Sequence, residues 1–461
     1  MEEKGKKLGI VNLLGLGLGS AIGTGIFIML GYGIAYTGRS IVLVCAAGCF
    51  FMLLAFWYNM AMSSMFVFKA GDYGMRTMQF TPLLTGVSAW FTIIQAFALS
   101  TQSIALTEYI QMAVPAVANH TRLVAFLVLT LAFLSTVVGS GFVTRLQNMV
   151  TWVLIAALVM FVGFGIGKVD PGAFFSNADG GFFREGAGGF VSALSIMAFA
   201  CMGTSGLVSV AAVTKKPKRL IPLAMILVTA ILAVIYAFMA YIAAGILPYE
   251  QVAGVNLSVT AKAIMPAAPY MFFLVGGGIC AIGSTLLGTV VIYRYPLLQI
   301  AEDGWLPKIF KKQLKSGYPY VGYLAMYVVS AFPILTGMSL EAIVSNIMIP
   351  TMLLNLYMNL SCIVLPKKYP EQWARRSIKM PVWFWNICSV LGAFSAGVVV
   401  YNLFKNLLLN DAIICVAIVV ALAALSAIRL KQGAVKVEAL EATRTATINE
   451  SLVMELEMAG E

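Results

Sequence analysis

Histidine is almost missing from this sequence: His120 is the only one among 461 residues. A metal site or an acid–base pair built on imidazole has no second member to draw on. Charge is scarce as well. Asp, Glu, Lys and Arg together make up 11% of the chain, against about 25% in an ordinary soluble domain. That scarcity excludes a soluble enzyme, a disordered chain and a nucleic-acid-binding domain. The seven cysteines, Cys45, Cys49, Cys201, Cys280, Cys362, Cys388 and Cys415, all fall in apolar stretches without paired loop spacing. They read as small buried residues, not as disulfides or metal ligands. No nucleophile–base constellation appears, so no catalytic residue is assigned. No cleavable signal is expected either, because the first apolar run is too long and lacks a cleavage site.

What is present is apolar. Hydrophobic residues make up 61% of the chain and mean hydropathy is +0.92. A water-facing globule could not hide that much apolar surface. Twelve runs reach the about 20 mostly apolar residues that a membrane span needs. They cover roughly 10–36, 40–66, 82–114, 122–141, 146–167, 189–213, 220–247, 268–300, 319–337, 341–365, 381–404 and 411–429. Backbone groups in hydrocarbon must pair within the chain, so these runs are helices. The expected class is an all-α polytopic membrane protein with 12 transmembrane helices, whose macroscopic partner is the lipid bilayer.

The net charge of +11 matters through its placement. With Lys4, Lys6 and Lys7 in the cytoplasm, twelve crossings put 24 of the 30 lysines and arginines on that side. Arg39, Arg122, Lys168, Arg184, Lys262 and Lys405 fall on the other. This positive-inside bias supports the count and puts both termini in the cytoplasm of a cell whose plasma membrane the chain spans. After Lys431 the composition turns acidic, with Glu438, Glu441 and Glu450 among others, and reads as a solvated helix or a disordered tail.

Two spans do not read as continuous helices. The first has five glycines between Gly15 and Gly25, in Gly15-Leu16-Gly17-Leu18-Gly19-Ser20-Ala21-Ile22-Gly23-Thr24-Gly25. The sixth has Phe199-Ala200-Cys201-Met202-Gly203-Thr204-Ser205-Gly206 at similar depth. Glycine in a helix interior costs about 1 kcal/mol relative to alanine. One explanation is close helix packing through small residues. The other is that each helix unwinds there and offers backbone groups to a small ligand. Position favours the second. Five spans separate the two breaks, an odd number, so the sixth runs opposite to the first, as an inverted repeat of five plus five helices requires. The half-helix starting near Gly23 would then aim N–H groups at a carboxylate, and the one ending near Ala200 and Cys201 would offer carbonyls to an ammonium. A zwitterionic amino acid carries both.

These residues resemble the amino acid–polyamine–organocation (APC) permeases. The stretch Gly19-Ser20-Ala21-Ile22-Gly23-Thr24-Gly25-Ile26-Phe27 is similar to that family's first-helix signature. Lys69-Ala70-Gly71-Asp72-Tyr73, Lys216-Pro217-Lys218-Arg219 with Pro222, and Arg294 followed by Glu302-Asp303-Gly304-Trp305-Leu306-Pro307 resemble its loop motifs, in order. The resemblance implies a LeuT-type fold. The chain would divide into a cytoplasmic start (1–9), a first five-helix repeat (10–168), an extracellular loop (169–188) and a second repeat (189–366). Transmembrane helices 11 and 12 (367–430) and a cytoplasmic tail (431–461) would follow. It also implies that the substrate carboxylate meets the backbone of Ser20, Ala21, Ile22, Gly23, Thr24 and Gly25. The amino group would meet carbonyls near Ala21 and from Phe199 through Ala200 and Cys201 to Met202, with Phe199 as a gating aromatic. Small residues including Thr204 would leave room for a side chain. The mid-membrane lysine that many proton-coupled or exchanging members carry in span five is absent between Arg145 and Lys168. Asn59 lies near the acidic position of span two, and Thr214 holds the acidic position before the Lys-Pro loop.

Coupling to Na+ or H+ is the other expectation; no further cofactor or metal is indicated. A sodium shell would combine carbonyls near Ser20 and Gly23 with hydroxyls of Ser284, Thr285 and Thr289 in span eight. Those hydroxyls are equally able to bond back to their own helix. No fixed charge lies at the central depth, which points to a neutral substrate. The expected function is a secondary active transporter of a neutral amino acid, without a protein partner. The alternatives are an obligatory exchanger and, in another class, a non-transporting amino-acid sensor.

Overall fold

The structure is a computed structural model that describes residues 7–68, 71–138, 140–314 and 318–459. Side chains at 24, 136–148, 212, 439 and 454–459 are outside that description, as are Lys69 and Ala70 of the loop motif. Among the described residues the regular structure is helical, apart from one isolated bridge between Leu8 and Thr214. Ten helical segments among them are long and apolar enough to cross a membrane.

The first segment, Ile10–Ala55, is 46 residues long. At 1.5 Å per residue it would run about twice the hydrocarbon thickness. It folds back instead at Gly38, whose φ of +68° a side chain would resist. A Cβ there would also lie 2.4 Å from the Gly181 carbonyl oxygen. The segment therefore holds α1 (Ile10–Thr24), α2 (Leu30–Thr37) and α3 (Ile41–Ala55). The elements that position the site follow in chain order. They are α4 (Gly71–Gln79), α5 (Phe97–Ala113), α6 (Gly186–Cys201), α7 (Pro217–Gly245), α8 (Ala281–Ile292) and α9 (Leu340–Ser361). The last helix is α10 (Val437–Ala459). The helix Tyr320–Thr336 has 17 residues and is shorter than the ten.

Apolar side chains lie on both sides of these helices. Phe27, Tyr109, Met197 and Met348 are buried between them, while Leu131, Trp152, Val159 and Phe394 are exposed. Around a soluble protein the second group would be a liability; in a multi-pass membrane protein it meets lipid.

Both interruptions expected from the sequence are places where the backbone leaves α-geometry. Gly23 has φ −30° and ψ −115°, and a π-helical turn, Gly25–Met29, follows before α2 begins. The chain stays coiled but widens its hydrogen-bond step. In the other span α6 ends at Cys201, and an eleven-residue 3₁₀ helix, Gly203–Val213, takes over after Met202. Runs of 3₁₀ helix beyond three or four residues are uncommon.

Two close contacts fix how these breaks cross. A Cβ on Gly25 would lie 2.6 Å from Ala200 Cα, and one on Gly203 would lie 2.2 Å from Ala21 Cα. Rising numbers on one strand of this crossing meet falling numbers on the other, so the two interrupted helices are antiparallel. The packing role of glycine holds further along the same helix, where Gly17 meets Val228 and Gly19 meets Thr151.

The tail is neither solvated throughout nor disordered over its described part. It forms α10, which docks through Leu440, Arg444 and Ser451.

Candidate functional site

The antiparallel crossing leaves a cavity of about 160 Å³. Ser20, Ala21 and Gly25 form one wall, and Phe199, Met202, Gly203, Ser205 and Gly206 form the facing one. Ala98 and Gln102 close it from α5. Thr285, Gly288, Thr289, Ile292 and Tyr293 close it from α8 and the residue after it. No lining residue carries a fixed charge.

Polar groups at this crossing tie the broken helices together. Ser20 Oγ lies 3.1 Å from Gly17 O and 3.3 Å from Gly203 O. Its single proton can serve its own helix or the partner. Tyr236, wholly buried on α7, sends its hydroxyl to Ala21 O at 2.9 Å and to Ala200 O at 3.3 Å. One phenol thus caps a carbonyl from each interrupted helix. These are among the carbonyls that the resemblance assigns to a substrate ammonium. Sequence reading missed Tyr236 because it sits in a plain apolar run with no neighbouring signal. Gln102 was missed despite one. It stands in the polar string Ser100-Thr101-Gln102-Ser103 inside a span, where polar residues are unusual.

The remaining expected residues divide by location. Gly23 meets α8, and a Cβ there would lie 2.3 Å from Thr285 Oγ1. Ala200 contributes its carbonyl and its backbone contact with Gly25. Ile22 and Thr204 are buried but are not among the lining residues. Cys201 points instead to Cys49, with the sulfurs 3.6 Å apart. The side chain of Thr24 lies outside the described residues.

The span-eight hydroxyls bond mainly within their own helix. Ser284 Oγ donates to Ala281 O at 3.0 Å, and Thr289 Oγ1 donates to Thr285 O at 2.8 Å. Thr289 Oγ1 also accepts from Gln102 Nε2 at 3.1 Å. Thr285 Oγ1 differs, because it reaches both Ala281 O at 3.0 Å and Gly19 O at 3.3 Å. The oxygens of Thr285 and Gly19, from two helices beside the kink, are the donor types a sodium ion takes. Among the described residues no cluster of His, Cys, Asp or Glu could hold a metal ion.

Aromatic packing holds the π-helical turn that follows the kink. Phe27, in the π-helical turn, meets Tyr109 edge-to-face at 5.6 Å, and Tyr109 Oη donates to Phe27 O at 3.1 Å. Leu257 N donates to the same carbonyl at 3.0 Å. The lining includes Gly206, Ile292 and Tyr293. Lys215, Lys216 and Arg294 lie close beyond them along the chain.

Residues 8–432 match the family model described as "Amino acid permease". The chain is 25% identical to "Branched-chain amino acid permease BcaP" of Bacillus subtilis (strain 168), covering 82% of this chain and 84% of that one. It is also 25% identical to the "Methylthioribose transporter" of the same organism, over 87% and 88% of the two chains. A "D-serine/D-alanine/glycine transporter" of Escherichia coli (strain K12) is 24% identical over 67% of each chain.

Proposed function

From the premise that the chain belongs to the amino acid permease family, we propose that it is a secondary active transporter moving a neutral amino acid by alternating access. The observation that carries this reading is the antiparallel crossing of the two interrupted helices around an uncharged cavity. Ala21 O and Ala200 O both face that crossing and share the Tyr236 proton. An incoming ammonium would compete with that phenol for the carbonyls, while a carboxylate would sit at the Ser20–Gly25 backbone, near the start of the second half-helix.

In this proposal the chain crosses the cytoplasmic membrane twelve times. The ten long segments supply eleven crossings, since the first holds two, and Tyr320–Thr336 supplies the twelfth. Five-plus-five inverted repeats and two further helices account for the order, and both termini are cytoplasmic.

Coupling to Na+ or H+ is part of the proposal. Thr285 and Gly19 are the oxygen pair that would start a sodium site. Obligatory exchange is the second reading, supported by the span-eight hydroxyls already bonding to their own helix. Uptake into proteoliposomes tests both. Accumulation driven by an imposed Na+ or H+ gradient supports coupled transport. Flux that requires amino acid inside, and ignores both gradients, supports exchange. No flux of any amino acid overturns the proposal.

A further inference from the structure

We infer that α10 is an intramolecular clamp on the movable half of the second interrupted helix, acting through α4. The last carbonyls of any helix lack partners within it, and they carry the negative end of its dipole. At the end of α4, Arg444 of α10 supplies donors to two carbonyls, while Lys368 Nζ at 2.8 Å and Tyr369 Oη at 3.0 Å serve Met78 O. Arg444 Nε donates to Thr77 O at 2.8 Å and its Nη2 to Phe80 O at 2.7 Å. Glu441, one turn earlier, pairs with Arg444 and holds the guanidinium in that pose. Two turns further on, the same face of α10 presents Ser451, whose Oγ accepts from Val67 N at 2.9 Å. The tail thus grips the chain on both sides of α4, just before it starts and just after it ends.

The first residue of α4 touches the helix that carries the cavity wall. Gly71 has φ +53°, and a Cβ there would lie 2.8 Å from Ser209 Oγ. Ser209 belongs to the 3₁₀ helix Gly203–Val213, whose first turn supplies Ser205 and Gly206 to the cavity. α4 is therefore wedged between the tail and the wall. Within it, Arg76 is buried and bonded to Asp72 at 2.6 Å, which stiffens the wedge. The wall beyond Met202 cannot swing without displacing α4, and α4 cannot move without breaking the Arg444 bonds or carrying α10 along. While docked, α10 slows that swing.

The rate consequence rests on the transport reading; the mechanical one does not. Hydrogen–deuterium exchange on the full chain in lipid nanodiscs, compared with Arg444→Ala and with deletion of 437–461, separates them. The clamp predicts about tenfold faster exchange in residues 71–80 and, beyond the contact itself, in residues 203–213. It also predicts a several-fold faster initial uptake at an unchanged half-saturating concentration. Faster exchange confined to 71–80 would make α10 a local strap and overturn the inference, as would unchanged exchange in both segments or slower uptake. Should the deletion fail to fold, Ser451→Ala in the full chain makes the same comparison from the other grip point. A chain that takes up no amino acid at all would sink the transport reading and leave the clamp to stand or fall on exchange.

Discussion

Gly25 and Ala200 meet backbone against backbone at the crossing of the two interrupted helices. A Cβ on Gly25 would fall 2.6 Å from Ala200 Cα. Main chain cannot yield as a flexible side chain can, so Gly25→Ala should force the helices apart. Overpacking of this kind costs about 1–3 kcal/mol. Gly203→Ala, facing Ala21, should behave likewise. Gly15 is the control, because a Cβ there would meet nothing within 4 Å. Gly15→Ala should be neutral or stabilise by up to about 1 kcal/mol through helix propensity. Thermal unfolding in detergent ranks the three; equal losses at all three sites would contradict the crossing.

Tyr236→Phe removes one hydroxyl and leaves Ala21 O and Ala200 O without their shared donor. A buried acceptor left unsatisfied costs about 1–3 kcal/mol. The melting temperature of the empty protein should therefore drop. An amino acid whose ammonium reaches the same carbonyls should restore more of that loss in the variant than it adds to the wild type. Paired melting curves with and without ligand measure this, and identical ligand shifts in the two proteins would argue against a shared site.

Much of this crossing was legible in the sequence, because glycine is conspicuous where a helix should be apolar and branched. The glycine-rich stretch in span one and the small, polar stretch in span six, with an odd number of steps between them, mark both breaks and their opposed directions. Tyr236 was not legible: its partners are backbone carbonyls, which leave no trace in residue identity. Arg444 hid for the same reason, since Thr77 O and Phe80 O say nothing about Thr77 or Phe80 as residue types. Cys201 shows a third limit. It stands in the span-six stretch from Phe199 to Gly206, yet its side chain turns toward Cys49 and not into the cavity.

Asp179 offers a pH test outside the membrane. Arg39 grips its carboxylate through two hydrogen bonds, at 2.9 and 2.7 Å, and holds its pKa down at about 2. A depressed folded-state pKa means that the pair stabilises the loop above the ordinary carboxylate value. That contribution fades as pH falls from about 4 toward about 2. Asp179→Asn should remove the dependence and loosen the loop around Gly181, whose carbonyl accepts from Arg39 N at 3.1 Å. Limited proteolysis of residues 176–184 across that pH window reads the effect, and protection that is flat with pH in the wild type would refute it.

Thr285→Val keeps the shape of the side chain while removing the oxygen that links α8 to Gly19. If that oxygen belongs to a sodium site, the half-activating Na+ concentration for uptake should rise by about tenfold, the equivalent of one charge-assisted contact. Ser284→Ala, whose hydroxyl only bonds Ala281 O, should leave that concentration alone. An equal response of the two variants would remove sodium from the mechanism.

The most direct test of the crossing as a binding site is a thermal-shift screen of the purified protein against the twenty amino acids, repeated on Gly203→Ala. Binding to the folded state alone must raise the melting temperature by mass action. The expected result is stabilisation of the wild type by one or a few neutral amino acids, and its loss in Gly203→Ala even after correction for that variant's lower starting stability. Stabilisation that survives intact in Gly203→Ala, or that comes only from charged amino acids, would contradict a neutral substrate held at the crossing.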